Sequence, residues 1–234
     1  MNDVLRLSVI IPVLNEKQNL QELIPWIRNC GGDFIEDLIV VDGGSTDGSA
    51  ELARFHGAAV YELKEASRAK QLNLGAKYAK GNTLYFVHAD TRPLSSFAED
   101  IQKARLSGYR AGCYRYRFDS SDFLLKINGW MTRFNGMFSG GGDQTLFISS
   151  TFFHELGGFD PDFCLMEDFD LVRKIKKRTT FHIIPKSILV SARKYHSNSW
   201  LRVQLVNLLV FTRFHFGTPP QKLKSIYHKY LVHN

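Results

Sequence analysis

Apolar positions in the first ninety residues form two alternating kinds of segment. Ser8-Val-Ile-Ile-Pro-Val-Leu14, Asp37-Leu-Ile-Val-Val-Asp42 and Thr83-Leu-Tyr-Phe-Val-His88 are short, continuously apolar and rich in β-branched residues. Runs of this kind suit strands buried on both faces of a parallel sheet. Between them the spacing turns helical. Residues 19–30 present Leu20, Leu23, Ile24 and Ile27 on one face and stop at Gly31-Gly32. Residues 45–56 open on Ser45 or Thr46 as N-cap and stop at Gly57, and residues 68–80 stop at Gly81. Val60-Tyr-Glu-Leu63 adds a weaker strand. The order β-α-β-α-β-α-β with short connections predicts an α/β fold whose mostly parallel sheet has right-handed crossovers and helices on its faces.

Beyond Asp90-Thr-Arg-Pro93 the pattern loosens. Helices are predicted over 95–107, 122–137 and 168–177, and strands over 112–118, 145–148 and 183–192. Ser139-Gly-Gly-Gly-Asp-Gln144 reads as a glycine-rich turn. Residues 199–216 are a long apolar stretch closed by Gly217 and Pro219-Pro220. One domain over 1–198 is expected, in two halves (1–93 and 94–198). A helical extension over 199–234 packs on it.

The 234 residues carry a net charge of +7, divided unevenly. From Leu171 onward there are thirteen Lys and Arg and no Asp or Glu, against seventeen basic and twenty-three acidic residues before it. Such a basic quarter attracts phosphates or anionic headgroups, or is a solvated face. Cys30, Cys113 and Cys164 form no CxxC pair, and no apolar stretch reaches about 18 residues. The first ten residues lack the features of a signal peptide, so a cytoplasmic location is expected. The stretch 199–216 admits two readings. One is a core helix or the interface of a homodimer. The other is an in-plane contact with the inner face of a membrane through Trp200, Phe211, Phe214 and Phe216.

In a parallel sheet, ligands settle at the carboxyl ends of the strands. Three successive strands here end in polar groups: Asn15-Glu16, Asp42, and His88 with Asp90. The first turn, Pro12-Val-Leu-Asn-Glu16, has no glycine, which removes a GxGxxG dinucleotide crevice, and no GKS or GKT phosphate loop is present. Carboxylates still bind nucleotides, by accepting from base N–H groups or ribose hydroxyls and by holding a divalent cation against a diphosphate. Acidic strand ends repel a polyanion, so nucleic acid is not an expected partner.

The quoted segments Ser8 to Glu16, Val40-Val-Asp-Gly-Gly-Ser-Thr-Asp-Gly-Ser49, Arg68-Ala-Lys-Gln-Leu-Asn-Leu-Gly-Ala76, His88-Ala-Asp90, Gly157-Gly-Phe-Asp160 and Glu167-Asp168 occur in the order seen in family 2 glycosyltransferases. The chain resembles that family over most of its length. It is most similar to a bacterial subgroup with His-Ala-Asp-Thr and Gly-Asp-Gln motifs, some of whose members are associated with arsenosugar biosynthesis. The resemblance implies a GT-A fold, a nucleotide-sugar donor (most often UDP-linked) and an acceptor hydroxyl, with lipid-linked acceptors among those used. Pro12, Asn15, Glu16, Asp42, Asp47, Arg68 and Gln71 would surround the nucleotide, and Arg193 would grip its diphosphate. Asp90 matches the last carboxylate of the DxD motif that holds Mn2+ or Mg2+. His88 stands at the first acidic position, where an imidazole either ligates the metal or hydrogen-bonds a phosphate. Asp168, with Glu167 beside it, matches the general base of an inverting transfer. Gly142, Asp143 and Gln144 would border the acceptor, or else form only a tight turn. Two alternatives stand beside this reading. One is a sugar-phosphate nucleotidyltransferase, whose glycine-rich basic first loop is missing. The other is a non-catalytic binder of anionic membranes or nucleic acid.

Overall fold

The computed structural model describes residues 4–136, 140–141, 144–195 and 197–231. β1 (Leu7–Val13), β2 (Ile35–Asp42), β3 (Ala59–Glu62) and β4 (Thr83–Phe86) are parallel neighbours in the spatial order β3-β2-β1-β4. They are linked by α1 (Lys17–Gly31), α2 (Ser49–Phe55) and α3 (Arg68–Tyr78), as the apolar periodicity predicts. Alternation along β1 sends Leu7, Val9, Ile11 and Val13 to one face, against Leu20, Leu23, Ile24 and Ile27 of α1. Ile10 points to the other face, against Ala69, Leu72 and Ala76 of α3. Both faces are covered, which is why β1 contains no polar position except the buried Ser8 at its start.

The second half extends the same sheet with antiparallel pairings. After β5 (Thr91–Arg92) and α4 (Phe97–Leu106) come β6 (Ala111–Phe118), α5 (Phe123–Met131), β7 (Leu146–Ser149) and α6 (Ser150–Glu155). They are followed by α7 (Glu167–Lys176), β8 (Phe181–Val190), α8 (Trp200–His215) and α9 (Pro220–Tyr230). β7 lies antiparallel between β4 and β6, β8 runs parallel to β6, and β5 closes the edge against β8. Three elements depart from the sequence pattern. β5 has two residues, too few for any periodicity. α6 follows β7 without a break. α9 uses Pro220 at its first turn, where a missing N–H costs nothing, so the Pro pair that ends one helix starts another.

α8 is buried along Val203, Val206, Val210 and Phe214, which meet Leu223 and Leu231 in a third cluster with Phe163, Leu165 and Phe169 packed against it. Phe211 and Phe214 are therefore core residues, and Trp200 packs against the main core. Of the four aromatics read as lipid contacts, Phe216 alone is exposed. No helix among the described residues is long and apolar enough to cross a membrane.

Candidate active site

The loops after β1 and β2 are stitched together by hydrogen bonds. Asn15 adopts φ +57°, a left-handed conformation that asparagine tolerates better than most residues. This aims its N–H at Ser45 Oγ (2.8 Å) and its Oδ1 at the N–H of Thr46 (2.9 Å). The next two N–H groups, of Glu16 and Lys17, donate to Ser49 Oγ and Asp47 Oδ2, each at 3.0 Å. Ser45 and Thr46 are thus drawn across to the first loop and do not cap α2. The cap position falls to Gly48, at φ +85° and without a side-chain bond.

Asp42 ends β2 at 1% exposure. Its Oδ1 accepts from the N–H groups of Gly44 (2.8 Å) and Ser45 (2.6 Å), an Asx turn. Its Oδ2 is buried and has no hydrogen-bond partner among the described residues. An unpaired buried acceptor costs about 1–3 kcal/mol, a penalty that a ligand N–H or O–H removes. Gln71 lies beneath this rim, 4% exposed. Its Nε2 donates to the carbonyls of Val13 (2.9 Å) and Val41 (2.8 Å), fixing the separation of the two strand ends. It braces the two strand ends by this route, and Pro12, half-buried in β1 opposite Val41, lies beside them.

Asp47 is exposed and its carboxyl is held below the usual range. Partial burial pushes the value up, but hydrogen bonds from the Ser49 hydroxyl and the N–H groups of Lys17 and Ser49 together outweigh it. A carboxylate lowered on folding stabilises fully above its unfolded value and loses that contribution as pH falls through the folded one. A carbon-detected NMR titration of Asp47 is expected to give a midpoint below about 3.9, the unperturbed value. A midpoint at or above it would show that the two loops are not joined through this residue.

On the other side of β1, Arg193 Nη2 lies 3.2 Å from Glu16 Oε1 and 4.0 Å from Asp90 Oδ2. Three residues from distant parts of the sequence are thereby brought together. His88 sits on the same turn as Asp90, where the His88 carbonyl accepts from the N–H of Thr91 at 3.0 Å. Glu167 and Asp168 open α7 inside its first turn. The cap is Met166, at φ +71° and with no side-chain bond, so neither acid is an N-cap. Glu167 is buried, and its Oε1 stands 3.6 Å from Nη1 of Arg68 at the start of α3. Arg68 in turn follows a segment whose Ala66 lies against Gly43, beside Asp42. Contacts thus link Asp90 through Arg193 and Glu16 to the stitched loops, and Gly43 beside Asp42 meets Ala66, two residues before Arg68 and its partner Glu167.

Gln144 is buried by backbone partners. Its Nε2 donates to the Tyr114 carbonyl at 2.7 Å, and its Oε1 accepts from the N–H of Gly140. It ties down Gly140, and Gly141 lies against the Phe169 ring on α7. Gly142 and Asp143 lie outside the described residues. A depression of about 280 Å³ lined by Arg28, Glu36, Asp37 and Gly57 occurs at the opposite, amino end of β2. Its charged groups are already engaged. Arg28 donates to the carbonyls of His56 and Gly57, and Asp37 accepts from Ser8 and Lys80. It offers no unpaired acceptor comparable to Asp42. Sequence reading missed the bridging roles of the Ser45 and Ser49 hydroxyls and of the Lys17 N–H, and the available signal was the density of short polar side chains over 45–49.

Comparison with known proteins identifies the family and the fold. The model described as Glycosyl transferase family 2 matches residues 8–156. A dolichol-phosphate mannosyltransferase of Pyrococcus furiosus is 34% identical over 92 residues, which is 37% of this chain and only 26% of that protein. A mannosyltransferase of Pyrobaculum calidifontis, solved with GDP-Man and Mn2+, superposes with a TM-score of 0.70 at 20% identity. The superposition covers 95% of this chain and 68% of the other. TarS 1-349 of S. aureus, solved with UDP-GlcNAc, gives 0.66 at 15% identity over 97% and 71%. The mixed sheet flanked by helices is the GT-A fold of these structures. The chain belongs to glycosyl transferase family 2.

Proposed function

We propose that this chain moves a sugar from a nucleoside diphosphate, UDP-linked by preference, to an acceptor hydroxyl with inversion at the anomeric carbon. The observation that carries the reading is the buried, unpaired Oδ2 of Asp42 at a strand end. It calls for a donor such as a base N–H or a ribose hydroxyl. Asn15, Glu16 and Asp47 shape the wall around it through the loop stitching.

His88 and Asp90 would hold a divalent cation, Mn2+ or Mg2+. The donor set fits a cation shared with substrate. It offers one imidazole nitrogen and one carboxylate on a single turn, and among the described residues no group of three or more such ligands is gathered. That leaves most coordination positions to phosphate oxygens and water, as these ions take them. When bound, the cation offsets the charge that grows on the departing diphosphate. Arg193, poised between Glu16 and Asp90, would exchange those carboxylates for diphosphate oxygens.

The acceptor oxygen attacks the anomeric carbon, the bond from that carbon to the diphosphate oxygen breaks, and Asp168 takes the acceptor's proton. Glu167, held by Arg68, positions the start of α7. Gln144, with Gly142 and Asp143, would border the acceptor. A lipid-linked acceptor is favoured by the likeness to a dolichol-phosphate mannosyltransferase. Calorimetric titration with UDP-, GDP- and dTDP-sugars, each with and without Mn2+, tests the proposal. One donor is expected to bind, more tightly with Mn2+, and failure of all to bind would reject it.

A further inference from the structure

α5 is amphipathic in the unusual sense, with its apolar side turned outward. Phe123 (72% exposed), Leu124, Ile127, Trp130 (50%) and Met131 (54%) face solvent, while Leu125 and the glycine edge at Gly129 face the body over β6. At 100° per residue the five exposed positions fall on one continuous arc. α8 repeats the arrangement. Behind its buried valines, Leu201 (60%), Leu205 (59%) and Leu208 (54%) line the outer side.

The two outer arcs meet at Tyr195. Its hydroxyl accepts from Asn128 Nδ2 of α5 and Gln204 Nε2 of α8, each at 3.3 Å. On each helix wheel, the amide that reaches Tyr195 lies between the buried and the exposed arc, so the exposed arcs adjoin on either side of that hydroxyl. Tyr195 stands two residues from Arg193, which faces Glu16 and Asp90. The apolar surface therefore borders the cleft.

Charge identifies the occupant. Residues 123–136 and 199–217 contain no Asp or Glu, and their Lys126, Arg133, Arg202 and Arg213 are all exposed. Apposing two copies of this face sets like charges against one another, which disfavours a homodimer there. The carboxylate of Asp122, at the edge of this face, is spent on the N–H groups of Leu124 and Leu125, and apolar arcs flanked by these cations match the headgroup boundary of an anionic bilayer. We infer that the α5–α8 surface docks in the plane of an anionic membrane and holds the mouth of the cleft at the headgroup level. The inference goes beyond the transfer reaction and stands on the exposed surface alone.

Flotation with vesicles of phosphatidylcholine, with and without 30% phosphatidylglycerol, tests it. The protein is expected to float with the anionic vesicles and to bind neutral ones at least about tenfold more weakly. Ile127→Glu with Trp130→Glu, and separately Leu205→Glu with Leu208→Glu, are each expected to lower binding about tenfold or more. Nucleotide-sugar affinity, measured without vesicles, stays unchanged in both pairs, which separates this inference from the donor-binding reading. Should a pair fail to fold, Lys126→Gln with Arg202→Gln carries the test through loss of the anionic preference. Wild-type protein that stays unbound with anionic vesicles overturns the inference. So does binding indifferent to these substitutions, or a dimer by light scattering that the glutamates dissolve.

Discussion

Asp168→Asn is expected to lower turnover by about 10²–10⁴-fold, the usual contribution of a positioned general base. Donor affinity should stay within about threefold of wild type, because losing a general base removes proton transfer in the transition state and leaves ground-state binding of the donor in place. The amide keeps the shape of the side chain and its place in the first turn of α7, but it cannot accept the acceptor's proton. A parallel Glu167→Gln variant is expected to act differently. It weakens the ion pair with Arg68 and shifts the start of α7, so KM for the acceptor should rise along with a smaller fall in turnover. Steady-state kinetics with the donor identified by calorimetry resolves the two. Full turnover in Asp168→Asn would remove Asp168 from its assigned role.

Asp42→Asn is expected to weaken donor binding about 10- to 150-fold, the range for a hydrogen bond to a charged group. The substitution is selective. Asparagine keeps an Oδ1 that can accept from Gly44 and Ser45, so the Asx turn survives. The position now held by the unpaired Oδ2 becomes an NH2 donor facing the ligand's own donor. Turnover at saturating donor should change far less than affinity. Asp42→Ala, by contrast, loses both the turn and the ligand contact and should also lower thermal stability.

The first half of the chain was legible because β1, β2 and β4 are buried on both faces and so read as unbroken apolar runs, with glycine stops after the helices. The second half was less so. β5 is too short for a period, and α9 starts at a proline that reads first as a stop. Within the site, the carboxylates were visible as strand-end residues. Their tethers were not, because Asn15 meets Thr46 across 31 positions and Arg193 meets Glu16 across 177. Gln71 and Gln144 were read as lining residues. Both amides turn out to be spent on buried carbonyls, an outcome that only packing decides. The lipid-facing reading of residues 199–216 rested on Trp200, Phe211, Phe214 and Phe216, of which Phe216 alone is exposed, and Leu201, Leu205 and Leu208 form the exposed arc of α8.

The central claim is that the loops after β1, β2 and β4 form one cleft with the start of α7. A crystal structure of the chain soaked with a nucleotide sugar that binds, together with Mn2+, examines it most directly. The account predicts a base or ribose donor within hydrogen-bond distance of Asp42 Oδ2, the diphosphate beside Asp90 and Arg193, and the anomeric carbon facing Asp168. A nucleotide seated elsewhere, with Asp42 Oδ2 still unpaired, would contradict it.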